Sequence, residues 1–236
     1  MKEDIETMII DRFIEDIMNG KYKGNDRLPS ENELSNLYKT PRINIRKAYK
    51  KLEDMGYIYS KQGKGRYLKD RHQQIELVLS GNESFSKKMI DKGHDFLTRN
   101  IYCEKIDYDE KIYNELGISK DIEVYKIGRL RIVNNRPIAL HKSYVSKSVF
   151  KDIDEVGKNI TSMFKFYNDN GYKEFTSEKS ILSISLPTCE ERKILNCTNL
   201  IPLLIVESNC IDKMTNKTLE FTKIIYRSDS FKYIVT

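Results

Sequence analysis

The sequence predicts an α+β protein in two parts. A small N-terminal unit of three helices is closed by a hairpin, and a larger C-terminal unit is built on a mainly antiparallel sheet. Three observations carry this reading. Apolar residues recur at helical spacing through the first 55 positions. The period then changes to short β-type runs around a glycine-rich tip, Gln62-Gly63-Lys64-Gly65. Farther on, helical and strand patterns mix, and Asn134-Asn135 separates two strand-like runs as a hairpin turn does.

In chain order, Ile5, Ile9, Phe13 and Ile17 predict a helix over residues 1–19, closed by Asn19-Gly20. Ser30 followed by Glu33 is a capping-box signature, so a second helix runs from Glu31 to about Tyr38, with Leu34 and Leu37 turned inward. Lys39-Thr40 is the turn. Thr40 reads as the N-cap and Pro41 as the first residue of a third helix, which stops at Gly56. Tyr57 to Tyr59 and Arg66 to Leu68 form the hairpin. Helix, helix, turn, helix, hairpin within residues 1–70 is the layout of a winged helix-turn-helix. Residues 71–80 read as a linker and first strand, and 81–236 as the second domain. There, helices are expected at 84–92, 108–116, 160–168 and 188–195. Strands are expected at 121–133, 136–146, 174–186 and two or three times within 202–235.

Composition narrows the function. The opening run MKEDIETMIIDRFIEDIMNGKYK is charged throughout, so neither a secretory segment nor a membrane span is expected there. The four cysteines are scattered, with no CxxC pair and no clustered histidine. No metal site or cofactor is expected, and the cytoplasm is the natural compartment. The net charge of +6 says little, but its distribution says more. Residues 1–38 hold five Lys/Arg against nine Asp/Glu, whereas residues 39–71 hold eleven against three. A basic block over one helix and one hairpin fits a phosphate-facing surface, although a solvated face has the same composition.

On a helical wheel, Ile45, Ala48, Tyr49 and Leu52 share one stripe and face the core. Ile43, Lys47 and Lys50 lie opposite, with Arg46 on the flank. Arg42 fits bidentate contact with a guanine edge, Asn44 fits adenine, and Ile43 fits a thymine methyl unless it is an ordinary exposed isoleucine. Arg46 and Lys50 fit phosphate contacts. At the wing, Gly63 and Gly65 permit close backbone approach, while Lys64 and Arg66 bring charge.

The run LPSENELSNLYKTPRINIRKAYKKLEDMGYIYSKQGKGRYL resembles the DNA-binding domain of GntR-family regulators. The family pattern is LPSE-x-EL, an SR-x-x-VR-x-A-x-x-L helix and a Q-G-x-G wing. Departures fall at contact positions: Asn32 stands where many members have arginine, Pro41 replaces serine or threonine, Asn44 stands for threonine and Arg66 for a small residue. The remainder resembles the UTRA domain of the HutC-type branch, which is related to the chorismate-lyase fold. SFSKKM (84–89), GRLRIVNNRPIALHKSYV (128–145) and LEFTKIIYRSDSFKY (219–233) carry that likeness. The resemblance implies a dimeric regulator that binds double-stranded operator DNA and a small metabolite, frequently a phosphorylated sugar.

Arg129 and Arg131 are two apart on an expected strand, so both side chains share one face. They suit a phosphate or carboxylate, or else a solvent-exposed charged face. The resemblance places this pair in the effector pocket. Ser84, Phe85 and Ser86 open a helix, where amides and hydroxyls fit an anion or simple N-capping, and Ser162 opens another. The resemblance sets Glu220 and Tyr226 against the uncharged part of the ligand. His141 occupies a position where relatives often carry an acid. The expected function is a repressor relieved by a small anionic metabolite. Two alternatives use the same residues: an enzyme on the lyase-like fold, and a DNA-binding protein without a ligand.

Overall fold

Asp4 caps the first helix, its carboxylate accepting the amide of Glu6, and α1 runs Ile5–Met18 with Ile9, Ile10 and Phe13 buried. In this computed structural model the residues described are 4–70, 74–78 and 85–234. Ser30 and Glu33 form the expected reciprocal capping box and start α2 (Glu31–Tyr38). α3 (Arg42–Asp54) follows after a left-handed Lys39.

Two details differ from the sequence reading. Pro41, not Thr40, occupies the cap position of α3. Thr40 is buried in the tight turn, and its hydroxyl accepts the Asn44 side-chain amide at 2.9 Å instead of capping. Leu37 is 70% exposed, because only Leu34 of that pair lies on the narrow face that short α2 gives to the core. The α3 stripe Ile45, Ala48, Tyr49 and Leu52 is fully inward, packed on Ile9, Phe13 and Leu34. β1 (Ile58–Lys61) and β2 (Gly65–Leu68) form the wing.

The second unit is one seven-stranded sheet with helices on both faces. Its strands are β4 (Phe96–Lys105), β5 (Val124–Val133), β6 (Arg136–Ser146), β7 (Phe175–Thr176), β8 (Ser180–Ser185), β9 (Leu203–Asp212) and β10 (Thr218–Arg227). The order is β4-β5-β6-β10-β9, with β7 and β8 both on the outer side of β9, and every pairing is antiparallel. Asn134 and Asn135 both adopt φ near +50 to +60°, as a two-residue hairpin turn requires (φ 49 and 59). Separately, β3 (Ile75–Val78) from the linker pairs in parallel with β11 (Phe231–Ile234).

α5 (Glu110–Leu116) and α8 (Cys189–Leu195) cover one face of the sheet, closing over Val124, Phe221, Leu140 and Ile225. The other face carries two apolar clusters. One lies under α4 (Phe85–Asp91) and the β3/β11 pair. The second lies under α6 (Ile153–Val156) and α7 (Met163–Asp169).

The two units touch through a buried carboxylate. Asp229, just past β10, accepts Arg227 at 3.0 Å, Arg136 at 2.7 Å and Lys69, from the end of the wing, at 2.7 Å. Burial raises its proton affinity, but the Arg227 hydrogen bonds and the charges of Arg227, Lys69 and Arg136 outweigh this. They hold the carboxyl well below the ordinary range. Stability from this group is therefore present above the unfolded carboxyl pKa and is lost as pH falls toward the depressed folded value. Asp229→Asn is expected to cost about 3 kcal/mol at neutral pH, since it strands a buried arginine. The difference between variant and wild type should shrink below about pH 4. Denaturant unfolding at pH 7 and pH 3 measures both.

Candidate functional site

Two groups of side chains stand out, one on the small unit and one inside the large one. On α3, Arg42, Ile43, Arg46 and Lys50 all lie at the surface, with Ile43 53% exposed, and Pro41 and Asn32 beside them are exposed as well. Asn44 is half-buried and held by Thr40. At the wing, Gly63 (φ 69) and Gly65 (φ 108) occupy left-handed backbone that only glycine takes without strain, and Lys64 is exposed between them. Arg66 does not reach toward the tip. Its guanidinium lies 4.7 Å over the Tyr49 ring and 3.0 Å from Glu31.

Glu31 organises this surface, and the sequence reading missed it. Its side chain is 12% exposed and takes Arg66 on Oε1, with Arg46 at 3.1 Å and Arg42 at 3.7 Å on Oε2. Burial raises its proton affinity, but Arg46 and Arg66 bring it below the usual carboxylate range. One carboxylate thus gathers three arginines from α3 and the wing into a single exposed array. The available signal was its place in the first turn of α2, next to the capping serine.

Inside the large unit, strand register builds the second group. Arg129 on β5 faces His141 on β6, Arg131 faces Ala139, and Ile224 on β10 lies beyond His141. Alternation puts Arg129, Arg131, His141, Ser143, Glu220 and Tyr226 on one face, between the two apolar clusters. None forms an exposed charged surface: Arg129 is 4% and Arg131 3% exposed. Arg129 donates to the Ser143 hydroxyl and lies 3.7 Å from Glu220. Arg131 donates to the Thr98 hydroxyl and to the Thr161 carbonyl, with its guanidinium within 6 Å of both the Phe85 and Phe96 rings (5.6 and 5.9 Å). Glu220 Oε2 accepts the Tyr167 hydroxyl at 2.7 Å. Phe85 and Tyr226 set ring edges against His141.

Burial, then the neighbouring positive charge of Arg129, disfavours the charged form of Arg131. Burial also disfavours the charged form of Arg129, and Glu220 offsets part of that. Arginine keeps its proton regardless, so the cost remains as unmet demand for an anion. Arg129 Nε, Arg131 Nε, His141 Nε2 and Glu220 Oε1 are all buried with no hydrogen-bond partner, Glu220 Oε1 having only the Arg129 guanidinium at 3.7 Å. Four orphaned polar atoms in one patch depart from the rule that buried polar groups are paired.

Ser84 lies outside the described residues. Ser86 is half-buried on α4, and Ser162 caps α7, its hydroxyl accepting the Lys165 amide. Thr98, Ser143 and Tyr167 complete the cluster and were not expected from sequence. Among the described residues, no His/Cys/Asp/Glu group has metal-binding spacing, and no helix is long and apolar enough to cross a membrane.

The model of the UTRA domain matches residues 91–232, and that of the gntR family of bacterial regulatory proteins matches residues 5–68. The chain belongs to the GntR family and carries a UTRA domain. It is a DNA-binding regulator and not an enzyme.

It is 26% identical to the mannosyl-D-glycerate transport/metabolism system repressor MngR of Escherichia coli over 95% of this chain and 92% of that protein. It is also 26% identical to the HTH-type transcriptional repressor NagR of Bacillus subtilis, over 96% and 91%. Among solved structures, PhnF from Mycobacterium smegmatis shares the fold with a TM-score of 0.63 at 17% identity, over 95% of this chain and 97% of that one. In this GntR-family chain the arginine array of α3 and the wing falls within the residues matched by the gntR model, and the buried cluster within those matched by the UTRA model.

Glu31→Gln removes a negative charge from the reading surface and frees three guanidiniums. It is expected to raise affinity for random duplex severalfold while lowering the ratio of operator to random binding. Competition titrations at one fixed salt concentration read both numbers, since the phosphate contribution varies with salt. A ratio equal to that of wild type rules out a positioning role for Glu31.

Proposed function

We propose that the chain is a repressor whose hold on operator DNA is released by a small anionic metabolite, a sugar phosphate by preference. The metabolite binds among Arg129, Arg131, His141, Glu220 and Tyr226. The observation that supports this is the set of unpartnered buried atoms, which presents donors for an anion beside an acceptor for a hydroxyl. A ligand-independent DNA-binding protein has no use for that arrangement. Relatives named as a repressor of a mannosyl-D-glycerate system and as a probable repressor of a fructoselysine utilization operon point the same way. Phe85 and Ser86 of α4 would lie against the anion, with Ser162 next to Thr161, whose carbonyl accepts from Arg131; Ser84 falls outside the described residues.

On the DNA side, Arg42, Ile43 and Asn44 would read base edges. Arg46, Lys50 and the wing tip from Gly63 to Gly65 would hold phosphate and the minor groove, flanked by Asn32 and Pro41, while Arg66 is held back from the tip by Glu31. The domain division is at 71–80, and the compartment is the cytoplasm. A thermal-shift screen with sugar phosphates, followed by release of operator DNA, tests the effector. Arg131→Met is expected to keep operator affinity within about twofold and to lose at least tenfold in effector potency. Loss of operator binding by a folded Arg131→Met protein contradicts this separation of roles.

The working form is a homodimer. β8 forms the outer strand of the sheet, with no partner on its far edge among the described residues. Leu182, Ile184 and Leu186 line up along one of its faces, with Ile184 75% exposed. A second copy suits this stripe, because an operator with two half-sites needs two reading units at fixed spacing. Ile184→Lys is expected to yield monomers in sedimentation experiments and to weaken operator binding by at least tenfold.

A further inference from the structure

The charge count inside the cluster decides whether a dianion must bring a proton with it. Arg129 and Arg131 carry two positive charges, and Glu220 returns one negative charge. Tyr167 from α7, Tyr226 from β10 and Cys210 from β9 keep their protons, since burial favours the neutral form of each. α4 presents the Phe85 ring, and β4 presents Thr98 and Asn100, whose amide is tied to the Gly157 and Ile160 carbonyls. The fixed charge is therefore +1.

Besides Glu220, His141 is the remaining titratable group. It lies across from Arg129 in the strand register, walled by the edges of Phe85 and Tyr226, and its Nε2 is buried with no partner. In the free protein burial, then the charges of Arg131 and Arg129, hold the imidazole neutral.

A monoanion would cancel the +1 charge exactly once. A dianion would leave an excess negative charge in a dry site and would also offset the two guanidinium fields that keep His141 neutral. We propose that a dianion bound among these residues is taken up together with one proton on His141, so that its binding strengthens as pH falls through neutrality. This rests on reading the cluster as the effector site. By linkage, one proton bound with the ligand changes affinity by up to about tenfold per pH unit inside the window where it is taken up.

Sulfate is the probe for the proton, because it stays a dianion across the whole range and carries no titration of its own. Full-length protein is titrated with sulfate by calorimetry between pH 6 and pH 8 in two buffers of different ionisation heat. The expected result is an uptake approaching one proton and affinity falling toward pH 8. In His141→Gln the uptake should vanish and the pH profile flatten. With three histidines in the chain, the His141 imidazole can also be followed by NMR in the unaltered protein, where sulfate should convert it to the charged form. That measurement decides the matter if the variant misfolds.

Binding without proton uptake, or uptake that persists in folded His141→Gln, overturns the inference and leaves the effector site standing. Absence of sulfate binding, or binding unchanged in Arg131→Met, overturns the site itself.

Discussion

Burying a guanidinium is expensive unless a carboxylate or an anion meets it, and the arrangement of this protein follows from how that demand is met in three places. Asp229 gathers Arg227, Arg136 and Lys69 within 3.0 Å and leaves no gap. Glu31 gathers Arg42, Arg46 and Arg66 at the rim, where the outer faces of Arg42 and Arg46 remain open to solvent. Glu220 is the exception. It stands 3.7 Å from Arg129, spends its better oxygen on Tyr167, and leaves two arginines short of partners. The same chemistry is complete at the first site, half-open at the second and unfinished at the third. The first suits a structural joint, the second a surface that meets phosphate, the third a place for a ligand.

These three centres are mechanically joined. Phe85 on α4 packs on Phe231, the first residue of β11, and on Tyr226, the residue before Arg227. Asp229 lies between Arg227 and Phe231 and holds Lys69 of the reading unit. β11 in turn pairs with β3, the strand of the linker. The Thr198 hydroxyl donates to the carbonyl of Asp54 at the end of α3, so the reading helix touches the large unit directly. A ligand that moved Phe85 to reach Arg131 would therefore push on the short stretch that anchors both the linker strand and the wing. A packed interior shifts between discrete arrangements and does not stretch continuously, so this push has a route to the reading unit without any long-range field.

Much of this was legible in the sequence where a local rule acts alone. The capping box at Ser30 and Glu33, the α3 stripe and the Asn134-Asn135 hairpin each depend on neighbours within a few positions, and each formed as expected. Leu37 was misjudged because helical spacing says which residues share a face, but not how wide a face the rest of the core can cover. β4 went unassigned because its burial does not alternate cleanly along Phe96–Lys105 and a bulge falls between Asn100 and Tyr102. The arginine pair was readable as a shared face by period alone, but its burial was not, since the covering helices come from distant parts of the chain. Glu31 was passed over for a similar reason: the link from Glu31 to Arg66 closes only after the wing folds back on α2.

The energy stored in the unfinished cluster is the right size for a switch. Moving a two-state equilibrium from 1:99 to 99:1 takes about 5.5 kcal/mol of differential binding. Each unpartnered buried polar atom costs about 1–3 kcal/mol, and Arg129 Nε, Arg131 Nε, His141 Nε2 and Glu220 Oε1 are four of them in one patch. A ligand that satisfied all four in one placement of the domains and only some in the other would have enough differential free energy to move the equilibrium. Affinity alone would not do so, because a ligand held equally well in both placements shifts nothing. For the proposed effector, the decisive property would thus be a better fit to one placement of the domains than to the other. In a homodimer with two such clusters the same differential would act twice on one pair of reading helices.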